Sequence, residues 1–306
     1  MAVDEEKYNK QIYLNALQFY KYLNENNRAT EESGPVWVEP WSVVCSPNKL
    51  GEEQPSYKSP LTIINKLIRL KEKGKKFGVD AGYDLTRCAI IIPDYSYSIP
   101  VIKALKKRMP GLRGDFNDYR DSLGYVGLHV NGFSKTGIPF EIQISTPPAW
   151  CIKQAGENCY SYWRNFNPQK EQEQIHLLYT SGVCSFEDYQ RGQEFIKIKV
   201  AMRLEDARKS RMLYSTLDIS KLLENREELC ALLDAYEQSA KSNTISPILL
   251  QELDIDRYIR QGNLDRLGLA VNIENKLGVV LAQSQQELVD ICNEVCQEQK
   301  MQQTER

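Results

Sequence analysis

Glu141 lies in the stretch from Gly124 to Thr146, GYVGLHVNGFSKTGIPFEIQIST. Phe140, Ile142 and Ile144 fall on one face of a strand, Glu141 and Gln143 on the other. A lone acid at such a position is ordinarily the solvated side of an amphipathic strand. Its company changes that expectation. Asp84 stands just before an apolar run, Lys58 and Lys66 stand before and within a helical pattern, and Tyr125 and His129 share the strand that precedes Glu141. Carboxylates are hard-oxygen ligands and proton acceptors, ammonium groups neutralise phosphate oxygens, and an aromatic ring offers a stacking face for a base. These residue types suit chemistry on a phosphorylated substrate.

The elements that must position them are legible from periodicity. Tyr125 to Gly132 and Ile138 to Ile144 read as a hairpin around the polar turn Ser134-Lys135-Thr136-Gly137. Cys88 to Ile92, ending at Pro93, is a continuous apolar run of the kind that forms a buried central strand. Leu61 to Lys73 reads as a helix with Pro60 in its first turn and Ser59 as its cap. A helix over residues 96–109, an extended segment over 112–119 and a helix over 149–163 complete a mixed sheet with helices packed on it. Trp41 to Cys45 suits a strand or a buried turn. Residues 1–28 carry a helical apolar face through Tyr8, Ile12, Leu14, Leu17, Tyr20 and Leu23. Beyond about residue 165 the patterns are helical, over 186–211, 220–239, 246–260 and 284–303, with Gly262 and Gly268 as breaks. The expected organisation is an N-terminal helix and loop over 1–45, a mixed-sheet domain over 46–170 and a helical module over 171–306.

Composition narrows the partners. With 306 residues, 42% hydrophobic and 26% charged, the chain resembles an ordinary globular protein with room for an appended module. A net charge of -2 supplies no global pull toward nucleic acid or a membrane. No secretory pattern and no membrane span is read in it. Eight scattered cysteines are expected as reduced thiols, which points to the cytoplasm, and two histidines leave little for zinc chemistry.

In order along the chain, Tyr57 to Leu67, Tyr83 to Ile92, Leu112 to His129, Phe140 to Thr146 and Ala155 to Arg164 resemble the RelA/SpoT-type alarmone synthetase domain over roughly residues 40–165. The most specific matches are GYVGLH, similar to the family's GYxSLH, and EIQIST, similar to its EIQIRT. The resemblance implies an α+β, nucleotidyltransferase-like mixed sheet flanked by helices and followed by a helical C-terminal module. It also implies a pyrophosphokinase that moves pyrophosphate from ATP to the 3′-hydroxyl of a guanine or adenine nucleotide. Glu141 would be the catalytic carboxylate, with Asp84 completing a magnesium site. Lys58, Thr62, Lys66 and Arg87 would meet the ATP phosphates. Tyr125 would stack on the acceptor base, with His129, Gln143, Arg113 and Arg120 around it.

Departures from the family pattern qualify what the resemblance implies. Ser56, Ala89, Asp121 and Ser145 stand where cationic residues are usual, and Arg87, Arg113 and Arg120 are close enough in sequence to substitute. Taken singly, Lys58 and Lys66 are solvated helix charges, Asp84 a turn acid, Tyr125 a core aromatic and His129 a hydrogen-bonded strand residue. Two alternatives to the alarmone synthetase therefore stay open. One is a toxin-like enzyme that modifies the 3′ end of tRNA, helped by the basic run from Lys66 to Lys76 and delivered into another cell's cytosol as an effector. The other is a catalytically degenerate relative that binds a nucleotide or a protein. Separately, the C-terminal helices would serve a regulatory partner, a second copy of the chain, or control of the cleft in cis.

Overall fold

A computed structural model of the chain describes residues 38–45, 57–77, 84–109, 111–117, 126–164, 166–234, 247–260 and 265–305. The helix expected over 1–28 lies outside these residues. The elements are β1 (Ser42–Val44), α1 (Pro60–Glu72), β2 (Thr86–Ile91), a 3-10 turn (Tyr95–Tyr97), α2 (Ser98–Arg108), β3 (Arg113–Asn117), β4 (Gly127–Phe133) and β5 (Pro139–Ser145). Helices then follow one another: α3 (Pro147–Arg164), α4 (Pro168–Thr180), α5 (Phe186–Tyr214), α6 (Ser220–Glu224), α7 (Arg226–Asp234), α8 (Pro247–Glu252), α9 (Ile255–Arg260) and α10 (Arg266–Thr304).

The sheet is mixed, in the order β1-β2-β5-β4-β3. β2 runs parallel to β5, while β1 is antiparallel to β2 and β4 is antiparallel to β5. The apolar run of β2 takes the protected position that its composition requires: Ile90 and Ile91 are fully buried. The β4–β5 hairpin closes at Ser134, whose carbonyl accepts the Gly137 N–H at 2.9 Å. Gly137 has φ of 77°, a left-handed conformation that a glycine adopts without strain. Pro60 opens α1 as expected. Ser59 holds the cap position, but its hydroxyl pairs with that of Thr62 at 2.8 Å and makes no cap hydrogen bond to the helix backbone.

The chain forms two compact units interleaved in sequence. One holds the sheet with α1, α2 and α6 to α10; the other holds α3 from Pro148 together with α4 and α5. In the sheet unit, α10 packs against β1, β2, α1 and α2. Ile273, Leu277 and Leu281 of α10 bury against Ile63 and Ile64 of α1 and against Leu85 and Ile138. In the helical unit, α4 and α5 form a hairpin through Gly182, whose φ is 72°. α5 begins with a reciprocal cap between Ser185 and Asp188, and the Trp163 indole donates to Asp206 at 2.7 Å.

Several helices differ from their sequence patterns. α4 is an additional helix with no buried residue, and its first two turns, PQKEQEQ, are polar; its signal is the Asn167 cap followed by Pro168. The stretch 220–234 breaks at Asn225, which caps α6, and the stretch 247–260 breaks at Asp254, whose carboxylate accepts the Arg257 N–H. Gly268 is not a break. It stands in the first turn of α10, where a Cβ would come within 2.6 Å of the Asp265 carboxylate that caps the helix. Gly262 lies outside the described residues.

Candidate functional site

The site is assembled at the start of β2. Just ahead of α1, the Lys58 N–H donates to the Leu85 carbonyl at 2.9 Å, which brings the helix start beside the approach to β2. The side chains of Lys58 and Lys66 then converge on one acid: Asp84 Oδ2 accepts from Lys58 Nζ and Oδ1 from Lys66 Nζ. Lys66 flanks the stripe of α1 formed by Ile63, Ile64 and Leu67, which faces the core, so packing of that stripe holds the lysine at the edge of the site.

This cluster is largely withdrawn from water. The Lys58, Lys66 and Asp84 side chains are 7%, 16% and 13% exposed. Burial pushes the Lys58 ammonium down to about 8; Asp84 pulls the other way, while Lys66 and Arg87 add to the depression. Burial alone would raise the Asp84 carboxyl. The charges of Lys58 and Lys66 outweigh it and hold that group well below the usual carboxylate range.

Sheet register places the second carboxylate. Glu141 on β5 is flanked by Arg87 on β2 and Asn131 on β4; Gln143, the next residue on that face, is flanked by Ala89 and His129. Register partners share a face, so Arg87, Glu141, Gln143, His129 and Asn131 lie together. Gln143 Nε2 donates to Glu141 Oε1 at 2.7 Å, and His129 Nδ1 is 3.7 Å from Glu141 Oε2. The opposite face is apolar, with Phe140, Ile142 and Ile144 buried. The alternation read in the sequence thus matches the observed faces.

Of the expected site residues, Lys58, Lys66 and Asp84 are in direct contact, and Arg87, Glu141, Gln143 and His129 form a neighbouring patch. Thr62 is exposed and spends its hydroxyl on Ser59. Arg113 opens β3, and β4 stands between it and Glu141. Tyr125 and Arg120 lie outside the described residues. Asn131, 7% exposed and opposite Glu141, belongs to the patch and was not anticipated; its place two residues after His129 on the same strand is the signal that marks it.

A divalent ion of the magnesium type suits this donor set by chemistry, since both acids offer only oxygen. No group of three or more metal-ligating side chains occurs among the described residues. Both Asp84 oxygens are engaged by lysines, so an ion there requires the ammonium groups to move to another anion.

The fold and this patch define an α+β protein with a mixed five-stranded sheet that carries a carboxylate and lysine cluster at one strand start. No family model matches the chain, and no curated protein does. Among solved structures, a chain in the crystal structure of the complex between the Type VI effector Tas1 and its immunity protein is 19% identical, with a TM-score of 0.33, over 68% of this chain and 94% of that one. No helix among the described residues is long and apolar enough to cross a membrane.

Proposed function

We propose that the chain is a nucleotide pyrophosphokinase. ATP donates its β,γ-pyrophosphate to the 3′-hydroxyl of a guanine or adenine nucleotide. The observation that carries the reading is the convergence of two poorly hydrated ammonium groups on Asp84, beside the strand pair that sets Arg87 next to Glu141. Two lysines held on one acid in a dry setting are cations kept in place for an incoming polyanion. Arg87 adds a third cation on the Glu141 face, where the sequence has lost others.

In the reaction, Lys58 and Lys66 exchange Asp84 for phosphate oxygens of ATP, and Arg87 neutralises charge that develops on the transferred group. Glu141, steered by the Gln143 hydrogen bond, accepts the proton of the acceptor hydroxyl. That oxygen bonds to the β-phosphorus as the bond from the β-phosphorus to the α,β-bridging oxygen breaks, and AMP leaves. A magnesium ion held by Asp84 and Glu141 would supply further neutralisation of the phosphates. The resemblance in GYVGLH and EIQIST supports the same roles.

The test is transfer of label from γ-labelled ATP with magnesium to GDP, GTP, adenine nucleotides and bulk tRNA, each offered separately to wild type and Glu141→Gln. Label on a nucleotide acceptor, reduced at least about 100-fold in the variant, is the expected result. Label on tRNA alone would replace the alarmone reading by the RNA-modifying one. Tight ATP binding by folded protein with no transfer to any acceptor would leave a binding module.

A further inference from the structure

On β2, the position next to the carboxylate assigned to catalysis is bonded on its outer edge by a side chain. β1 pairs with β2 through Ser42↔Ile91 and Val44↔Ala89, and the Ile91 carbonyl accepts the Trp41 N–H at 2.6 Å. Strand alternation therefore turns the backbone groups of Ile91, Ala89 and Arg87 toward β1. β1 ends at Val44, and none of the described residues of this stretch pairs with Arg87 across the sheet edge.

A side chain from α10 takes that place. Gln285 Oε1 accepts the Arg87 N–H at 2.9 Å, and its Nε2 donates to the Arg87 carbonyl at 2.8 Å. One amide thus makes both hydrogen bonds that a paired strand residue would make. Gln285 is fully buried, 198 residues away in sequence. Only a side chain with one donor and one acceptor at this reach satisfies both Arg87 groups in a dry position. The helix comes from the apolar side of the sheet, where Cys292 lies 3.5 Å from Cys88. It therefore holds the strand from behind, without contact with a bound nucleotide.

We propose that Gln285 is a positioning residue for the phosphate site. Its amide fixes the first turn of the β2 ladder, and with it the alignment of Arg87 against Glu141 and the approach that carries Asp84. The inference rests on the nucleotide-transfer reading of the site, because the groups positioned are the ones assigned to phosphate and proton there. Neither GYVGLH nor EIQIST includes this residue, and the resemblance does not extend to α10.

The experiment compares wild type with Gln285→Met, which keeps length and packing but offers no amide. Hydrogen exchange at the Arg87 amide and calorimetric titration with magnesium-ATP are measured on both, with labelled transfer measured in parallel. Arg87 exchange faster by about 100-fold, with the Cys292 amide still protected, is expected. ATP is expected to bind about tenfold more weakly at an unchanged stoichiometry. A purely structural loss would instead lower the stoichiometry, through unfolded molecules, and leave the affinity of the remainder unchanged; that outcome overturns the proposal. So does an Arg87 amide as protected as in wild type. If wild type transfers pyrophosphate and the variant matches it in affinity and rate, only the role of Gln285 falls. If wild type neither binds ATP nor transfers, the functional reading falls and takes this one with it.

Discussion

Lys58 and Lys66 hold Asp84 between two positive charges in a place that water barely reaches, and each of the three depends on the others. Removing the acid leaves two buried cations facing one another. Asp84→Asn is therefore expected to destabilise the sheet unit by about 3 kcal/mol in urea unfolding, while an exposed charge such as Lys197 is worth well under about 1 kcal/mol. The pH dependence has a defined sign. Lys58 is held at about 8, below its ordinary 10.5, so between those values the unfolded chain binds a proton that the folded chain does not. Its contribution to stability is full above the upper value and is lost as pH falls through about 8. Phosphate binding needs the charged form. ATP affinity should thus fall as pH rises past about 8, and Lys58→Arg should remove that dependence because guanidinium stays charged. A titration of ATP affinity from about pH 6.5 to 9.5 checks both.

At the level of elements, the site stands on local chemistry that can be tested one turn at a time. Gly137→Ala forces a Cβ into a left-handed turn and should cost about 1 kcal/mol, measured as a lowered urea midpoint with an unchanged slope. Ser185→Ala removes the reciprocal cap of α5 and should cost the same order, read by thermal melting. The central sheet and the polar face of β5 were legible in the sequence, because alternation in PFEIQIS and the apolar run after Arg87 are direct consequences of which faces are buried. The pairing of Lys58 and Lys66 on Asp84 was not legible, since periodicity places each on an element and says nothing about how α1 crosses the strand start. α4 was not legible because amphipathic patterning reports burial, and that helix has a polar first half and no buried residue. Gln285 escaped notice for a related reason: among polar neighbours in LAQSQQEL it looks like a surface glutamine, and only the strand it faces gives it a purpose.

For the whole molecule, the sheet unit owes its cover to a helix far along the chain from the strands it packs on. α10 buries Ile273, Leu277, Leu281, Leu288 and Cys292. Amides of β2 and of the middle of α10 are expected to exchange together, at the rate of global opening, while those of α4 exchange sooner. Leu281→Ala, at a fully buried position, should cost about 3 kcal/mol and release the protection of both elements at once. Separate loss of protection in β2 and α10 would show that they are not one cooperative unit.

The distance along the chain between Arg87 and Gln285 also has a temporal meaning. While the protein is being made, β2 leaves the ribosome about 200 residues before the amide that completes its ladder, which at about 5–20 residues per second is a delay of about 10–40 s. Through that interval the strand start beside the two lysines lacks its rear support. A nascent chain stalled before α10 should carry every residue assigned to the chemistry and still bind ATP poorly, so that competence for nucleotide arrives only once α10 has been made.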